Sequence, residues 1–455
     1  MQKIISLFLL SIFYNFSYAC DYNYKETINQ EIQKIDSNIN IGIKIRNLLT
    51  GDVIYEQNAD RYYTFASALK FITIGTLSQY FGNDYLFINK ILQNKDDYYL
   101  DINDPNFSTS DLDSMISMLK EKSHKTIANF YIINSQFSLP AVIESGMLED
   151  SKRSYGAPIT QVHINKNYIK LQLHTSELVK NKLHVDNQEL IPYKIVNKAI
   201  TIPNGDKNKL NIVIKDNNLL INGTLNEGVK NFIADVVVND NLNHIKLTLR
   251  QLLNKHNIKI TGKILYSSKP KLAKEIVRIE KKFNQIGSYA LKMSDNYITD
   301  YLLAKFATIC KVSDWAEAGL LLKKYVNENF AVNLDNTVIV DGSGLSRYNL
   351  LTPTHFDEFL TSIYKDKNFE TIKLMLARPN EPGTLEKRFQ GINIFAKTGS
   401  MSGVSSLIGY VFDKNNVPYS FVIVSNNYLG SKLKYKNLEE EIIRILLNNL
   451  NSNSN

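Results

Sequence analysis

Isoleucines at 41, 43 and 45 alternate with Gly42, Lys44 and Arg46, the two-residue period of a strand with one buried face. Thr50-Gly51-Asp52 is a turn signal, and Val53-Ile54-Tyr55 reads as the returning strand. Ser67 then opens an apolar run through Leu77 that stops near Gly82, the pattern of a buried helix with a C-terminal glycine. Further on, Leu112, Met115, Ile116 and Leu119 follow helical spacing, and Thr126 to Asn134 reads as a strand. A similar unit recurs where Ile245, Leu249, Leu252 and Leu253 predict a helix after Asn239-Asp240, with Ile258 to Leu265 as its strand. Between the two units the chain shortens into period-two segments, such as Leu210, Ile212 and Ile214. Val338-Ile339-Val340 predicts a short strand before Asp341-Gly342-Ser343-Gly344. Leu407 to Phe412 and Tyr419 to Ser425 predict a hairpin around Asp413 to Asn416. Leu438 to Leu450 predicts the last helix, followed by a polar, frayed tail at Asn451 to Asn455.

These patterns imply several parts. Residues 20–95 and 269–455 form one α/β part. Residues 96–180 and 239–268 form an inserted domain from the two helix–strand units, and 181–238 a small β-rich domain nested within it. Residues 1–19 have the shape of an export signal: Lys3, an apolar run from Ile4 to Phe13, and small residues at Ser17 and Ala19. Cleavage after Ala19 would leave Cys20 first. A lipid-anchored protein also begins with Cys, but Ser17 stands where such signals usually carry Leu. The protein is expected to be exported and largely soluble.

Composition narrows the chemistry. The 455 residues are 44% hydrophobic and 22% charged, which is globular, with a net charge of +8. That charge suits a solvated lysine-rich surface, an anionic cell-wall polymer or peripheral membrane association. No zinc-finger spacing, Walker loop or RNA-binding aromatic motif accompanies it, so no nucleic-acid partner is expected. Seven histidines form no H-E-x-x-H pair, and neither metal nor cofactor is implied. His163 and His174 fall in strand-like segments and read as satisfied structural residues. Cys310 follows a helical apolar pattern and reads as a buried, inert thiol.

Three short motifs carry the chemistry. Ser67 and Lys70 are three apart at a helix start, so both lie on one face, and the helix N-terminus favours developing negative charge. A lysine acts as base only when its amine is partly neutral, which burial or a second cation promotes; Lys397 is the obvious second cation. The S-x-x-K pattern recurs at Ser117/Lys120, Ser268/Lys271, Ser362/Lys365 and Ser431/Lys434, so the motif alone proves little. In Ser294-Asp295-Asn296, a hydroxyl and an amide two apart on a loop can relay a proton and hold a substrate backbone, though the same residues also suit a helix N-cap. Lys397-Thr398-Gly399-Ser400 is the one K-T-G. Gly399 on a strand edge would admit a close backbone, and Lys397, Thr398 and Ser400 offer a charge and two hydroxyls to a carboxylate. Backbone N–H groups near Gly399 and Ser67 would form an oxyanion hole.

In this order the motifs resemble those of the serine DD-peptidases. The resemblance is strongest to low-molecular-mass penicillin-binding proteins with a large insertion between the first two motifs, the D-alanyl-D-alanine carboxypeptidase/endopeptidase group. Further similar stretches are Asp104-Pro105, Tyr155-Gly156-Ala157-Pro158 with Asn165-Lys166-Asn167, Asp341 to Arg347, and Gly383-Thr384-Leu385 with Arg388. The resemblance implies a β-lactamase/transpeptidase-like domain, a central antiparallel sheet flanked by helices, carrying inserted domains. It implies acylation of Ser67 by peptidoglycan peptides, with Lys70 as base. Ser294 and Asn296 would serve the leaving group and the substrate amide, and Lys397, Thr398 and Ser400 the terminal carboxylate. Covalent inhibition by β-lactams and a periplasmic location follow from it. Ser400 departs from the Thr common in the family but keeps the hydroxyl. The loop around Ser343 reads as structural, without a catalytic role.

Two rival readings share these features. A class A β-lactamase needs a Glu-x-x-x-Asn element after the second motif, but Glu317 is followed at that offset by Leu321, and Glu328 by Val332. A cell-wall scaffold with a relic site would not need every catalytic position filled.

Overall fold

The computed structural model describes residues 24–452 apart from 123–124, 147–148, 187, 189–190, 269 and 271. The expected leader at 1–19, Cys20 and tail residues 453–455 lie outside the described residues. Two compact units emerge among the described residues: one comprises residues 24–80, Gly287–Asp295 and residues 319–452; the other comprises Phe81–Ile286 and Asn296–Ala318.

In the first unit the alternating isoleucines form the strand Asn40–Asn47. Ile41, Ile43 and Ile45 are buried with Ile28 and Ile32, from a helix over residues 24–35, and with Leu438, Ile442 and Leu446 of the closing helix Lys432–Ser452. The alternate positions face the helix Pro353–Lys365. Lys44 donates to Thr354 Oγ1 at 3.0 Å, and Arg46 pairs with the buried Asp357 at 2.6 Å. Gly42 is required there, since a Cβ would lie 2.6 Å from the Tyr63 ring. Val53–Gln57 returns beside it, and the expected hairpin is Val404–Phe412 with Pro418–Asn426. The sheet runs 393–401, 404–412, 418–426, 40–47, 53–57, antiparallel throughout, so the strand bearing Lys397 lies at its edge. Helices flanking an antiparallel sheet are the expected fold class. Val338-Ile339-Val340, however, is no strand. Only Val338 bridges to Leu350, because Asn349 turns the chain back, accepting from Val340 N and donating to Asp341.

In the second unit the two helix–strand repeats pair with each other. Helices Thr109–Glu121 and Asn241–Lys255 share one core with the strands that follow them. Each expected strand is broken into two: Thr126–Ile127 and Phe130–Ile133, then Lys259–Ile260 and Ile264–Ser267, matched in parallel. The break is local chemistry. Asn129 Oδ1 accepts from Lys263 N, and Gly262 N donates to Ala128 O at 2.8 Å, which bends both strands at one level. The intervening β segments enclose a separate core around Leu171, Leu219 and Ile221.

Two sequence expectations are corrected here. Cys310 is exposed, because the helix Asn296–Ile309 ends one residue before it. His163 lies in a loop rather than a strand. It is buried against Tyr297 and Tyr301 with Nε2 3.2 Å from Pro105 O, and burial pushes its pKa down to about 4. His174 does end a strand, Tyr168–His174, and pairs with Asp186 at 2.8 Å. No helix among the described residues is long and apolar enough to cross a membrane.

Candidate active site

Ser67 does not sit in the α-helix that the apolar run predicts. It occupies a single 3-10 turn, Ala66–Ala68, from which the helix Leu69–Phe81 continues. Ala66 has φ +47, a left-handed conformation disfavoured for a residue with a Cβ, so the turn bearing Ser67 stores strain. Phe65, at the cap position, makes no side-chain capping hydrogen bond. Lys70 is fully buried one turn on, and its Nζ lies 2.8 Å from Ser67 Oγ and donates to Ser343 O at 2.7 Å. By contrast, Lys120, Lys365 and Lys434 of the other S-x-x-K matches are exposed.

Lys397 is also fully buried, in the middle of the edge strand Asn393–Met401. Its Nζ donates to Ser294 Oγ at 2.8 Å and to Thr398 O at 2.7 Å. Burial, reinforced by the nearby Lys70 ammonium, pushes the Lys397 amine well below the ordinary lysine range. Two buried amines of like sign thus share one low-dielectric region. Gly399 fits the close-approach argument, since a Cβ there would lie 2.2 Å from Phe65 O and 2.9 Å from Ala68 N. The edge strand and the turn bearing Ser67 therefore pack backbone to backbone. Thr398 is nearly buried, while Ser400 is open to solvent.

Ser294 has φ +58 and sits in the turn after the helix Phe283–Lys292. That turn is anchored on the sequence's Gly383-Thr384 stretch, with Thr384 N donating to Lys292 O and Lys292 Nζ paired with Glu381 at 3.0 Å. Asn296 opens the helix Asn296–Ile309 of the second unit, and its amide donates to Tyr155 O at 3.2 Å. The structure thus joins Ser67 with Lys70 and Ser294 with Lys397, and packs Gly399 on the turn Ala66–Ala68. Sequence reasoning missed that Ser343 contributes a carbonyl to Lys70. The residues are 273 apart, and only the D-G-S-G turn signal hinted that the loop folds on its own. Among the described residues no group of three or more His, Cys, Asp or Glu is arranged to hold a metal ion.

A buried lysine on a serine at a helix start, beside a K-T-G edge strand, defines a serine peptidase of the acyl-transfer class. More particularly, the chain belongs to the D-Ala-D-Ala carboxypeptidase 3 (S13) family, whose profile matches residues 24–449. Over 473 residues it is 23% identical to the D-alanyl-D-alanine carboxypeptidase DacB of Haemophilus influenzae, covering 98% of each. The crystal structure of penicillin binding protein 4 from the same organism covers 92% of this chain and 99% of its own, with 21% identity and a TM-score of 0.79. Another structure of that protein is a complex with a novel β-lactam. A predatory peptidoglycan endopeptidase from Bdellovibrio bacteriovorus covers 90% of this chain and 93% of its own, with 14% identity and a TM-score of 0.53. At these identities the structural likeness speaks for the fold.

Proposed function

We propose that the protein is a DD-peptidase acting on peptidoglycan peptides, with Ser67 as nucleophile and Lys70 as base. The observation that carries this reading is the 2.8 Å contact between Ser67 Oγ and a fully buried Lys70 amine. Ser67 Oγ attacks the carbonyl carbon of the penultimate D-alanine while its proton passes to Lys70. N–H groups of the nucleophile turn and of the strand at Gly399 face the developing oxyanion. As the tetrahedral intermediate collapses, the C–N bond breaks and Ser294 passes a proton to the departing amine. That amine belongs to D-alanine in a carboxypeptidase step and to a cross-bridge in an endopeptidase step. Water then cleaves the ester and restores the serine. Lys397, Thr398 and Ser400 hold the terminal carboxylate, and Asn296 the substrate amide. A β-lactam enters the same path, but its amine stays tethered after ring opening. Without a Glu-x-x-x-Asn element the adduct is long-lived. We place the mature enzyme in the periplasm; mass analysis of its N-terminus distinguishes a free Cys20 from a lipidated, membrane-associated one.

The test is release of D-alanine from a pentapeptide ending in D-alanyl-D-alanine. Wild type should release it and form a stable penicillin adduct, and Ser67→Ala should do neither. Equal release by both proteins refutes the assignment. Mass analysis of products from cross-linked peptidoglycan then apportions carboxypeptidase and endopeptidase activity.

A further inference from the structure

The loop that sequence reasoning treated as structural encloses a buried carboxylate beside the reacting amine. Asp341 is 1% exposed. Its Oδ1 accepts from Gly344 N at 2.7 Å and Asn349 Nδ2 at 2.9 Å, and its Oδ2 from Ser346 N at 2.6 Å. All three partners are N–H donors, an arrangement that suits an ionised carboxylate. The loop so folded presents two carbonyls to the nucleophile helix, Ser343 O to Lys70 Nζ at 2.7 Å and Gly342 O to Thr73 Oγ1 at 2.8 Å. Gly344, at φ +75, lets the loop press on the nucleophile turn, since a Cβ there would lie 2.0 Å from Ala66 O. Lys70 therefore feels two charges of opposite sign, Lys397 and Asp341.

We propose that Asp341 is a positioning residue that sets how readily Lys70 holds its proton. Its charge offsets that of Lys397, and its hydrogen bonds fix the Ser343 carbonyl that engages one amine N–H. The role rests on Lys70 being the base for Ser67. An N–H committed to Ser343 turns the nitrogen lone pair toward the serine. Without the carboxylate, Lys397 alone would drive the amine to neutrality at low pH and weaken it as a base. Burial leaves the Asp341 pKa raised, with the Ser346, Asn349 and Gly344 hydrogen bonds and the Lys70 charge opposing that rise in part.

The experiment is the pH dependence of acylation by a fluorescent penicillin, for wild type, Asp341→Asn, Asn349→Ala and Thr73→Val, with folding checked by thermal denaturation. Acylation requires neutral Lys70, so the rate rises with pH along an acidic limb. Asp341→Asn should move that limb down by about one pH unit, a tenfold fall in proton affinity. Asn349→Ala removes one donor, lets Asp341 protonate more readily, and should move the limb the same way by a smaller amount. Thr73→Val loosens the loop without touching charge and should lower the rate with the limb in place. A folded Asp341→Asn whose limb is unmoved, or moves up, overturns the proposal. Should that variant fail to fold, an unmoved limb in Asn349→Ala overturns it. A wild-type protein inert to penicillin would instead sink the underlying peptidase assignment.

Discussion

The two units bury charge in opposite ways. In the first, Lys70 and Lys397 are both fully buried and of like sign, and burial with mutual repulsion pushes Lys397 well below its ordinary range. In the second, the buried Asp104 meets Lys281 at 2.7 Å, and Lys281 also reaches Asp111 at 3.0 Å. Burial disfavours the charge on Lys281, yet the two carboxylates outweigh it and raise its pKa. An opposite-charge cluster can hold a structure together; a buried like-charge pair cannot, and so points to chemistry. The same contrast separates His163, buried among tyrosines of the second unit, from the lysines around Ser67.

Three variants test that contrast. Replacing Lys397 with Met should lower penicillin acylation about a thousandfold, in keeping with losses when acid–base machinery is disturbed. Its melting temperature should stay level or rise, since one of two repelling charges is gone. A clear fall in melting temperature would mean that the pair is structural after all. Lys281→Met should do the reverse. It strands Asp104 and should cost on the order of 3 kcal/mol of stability by denaturant titration, with acylation by the folded protein near wild type. Asp104 already has its pKa raised by burial, against the pull of Lys281. A carboxyl with a raised folded pKa favours the folded state less as pH rises, so the loss should be greatest at neutral pH and shrink on acidification. The smallest effect is expected at Glu381. Its hydrogen bond from Arg378, with Lys292 adding to it, holds its pKa down at about 2 despite burial. The stabilisation is complete above the unfolded value near 4.5 and fades as pH falls toward 2. Glu381→Gln should therefore cost roughly 0.5–1 kcal/mol at neutral pH, as partly exposed pairs do, and the difference from wild type should close below pH 4.5.

Much of the first unit was legible because its signals are local. The isoleucine alternation gave a strand with one buried face, and Gly399 gave the tight approach to Phe65. What escaped depends on distant contacts. Nothing near Ser67 announces that Ala66 adopts a positive φ, because that turn is pressed by Gly344 and Gly399 from far along the chain. Thr126 to Asn134 has strand composition throughout, but Asn129 gives its side chain to Lys263 and Asp97 and breaks the ladder. Val338 to Val340 is rich in β-branched residues, yet strand propensity needs a partner, and only Leu350 is there. The domain limits drawn from periodicity rest on composition alone. Residues 86–94 pair with 274–282 in a sheet of the second unit, a union that no local pattern encodes.

The strand Asn40–Asn47 is paired with Pro418–Asn426, almost the whole chain away. Such a closure is slow, because the loop entropy must be met before the ladder can reward it. During synthesis, then, the strand Asn40–Asn47 waits for the hairpin that carries Pro418–Asn426, and the edge strand that packs on Ser67 pairs into the sheet only with that hairpin. A nascent or truncated chain lacking the strands from Asn393 to Asn426 would carry its serine without its second amine. On the proposed mechanism, the serine gains its second amine only once the strand bearing Lys397 has been made and paired.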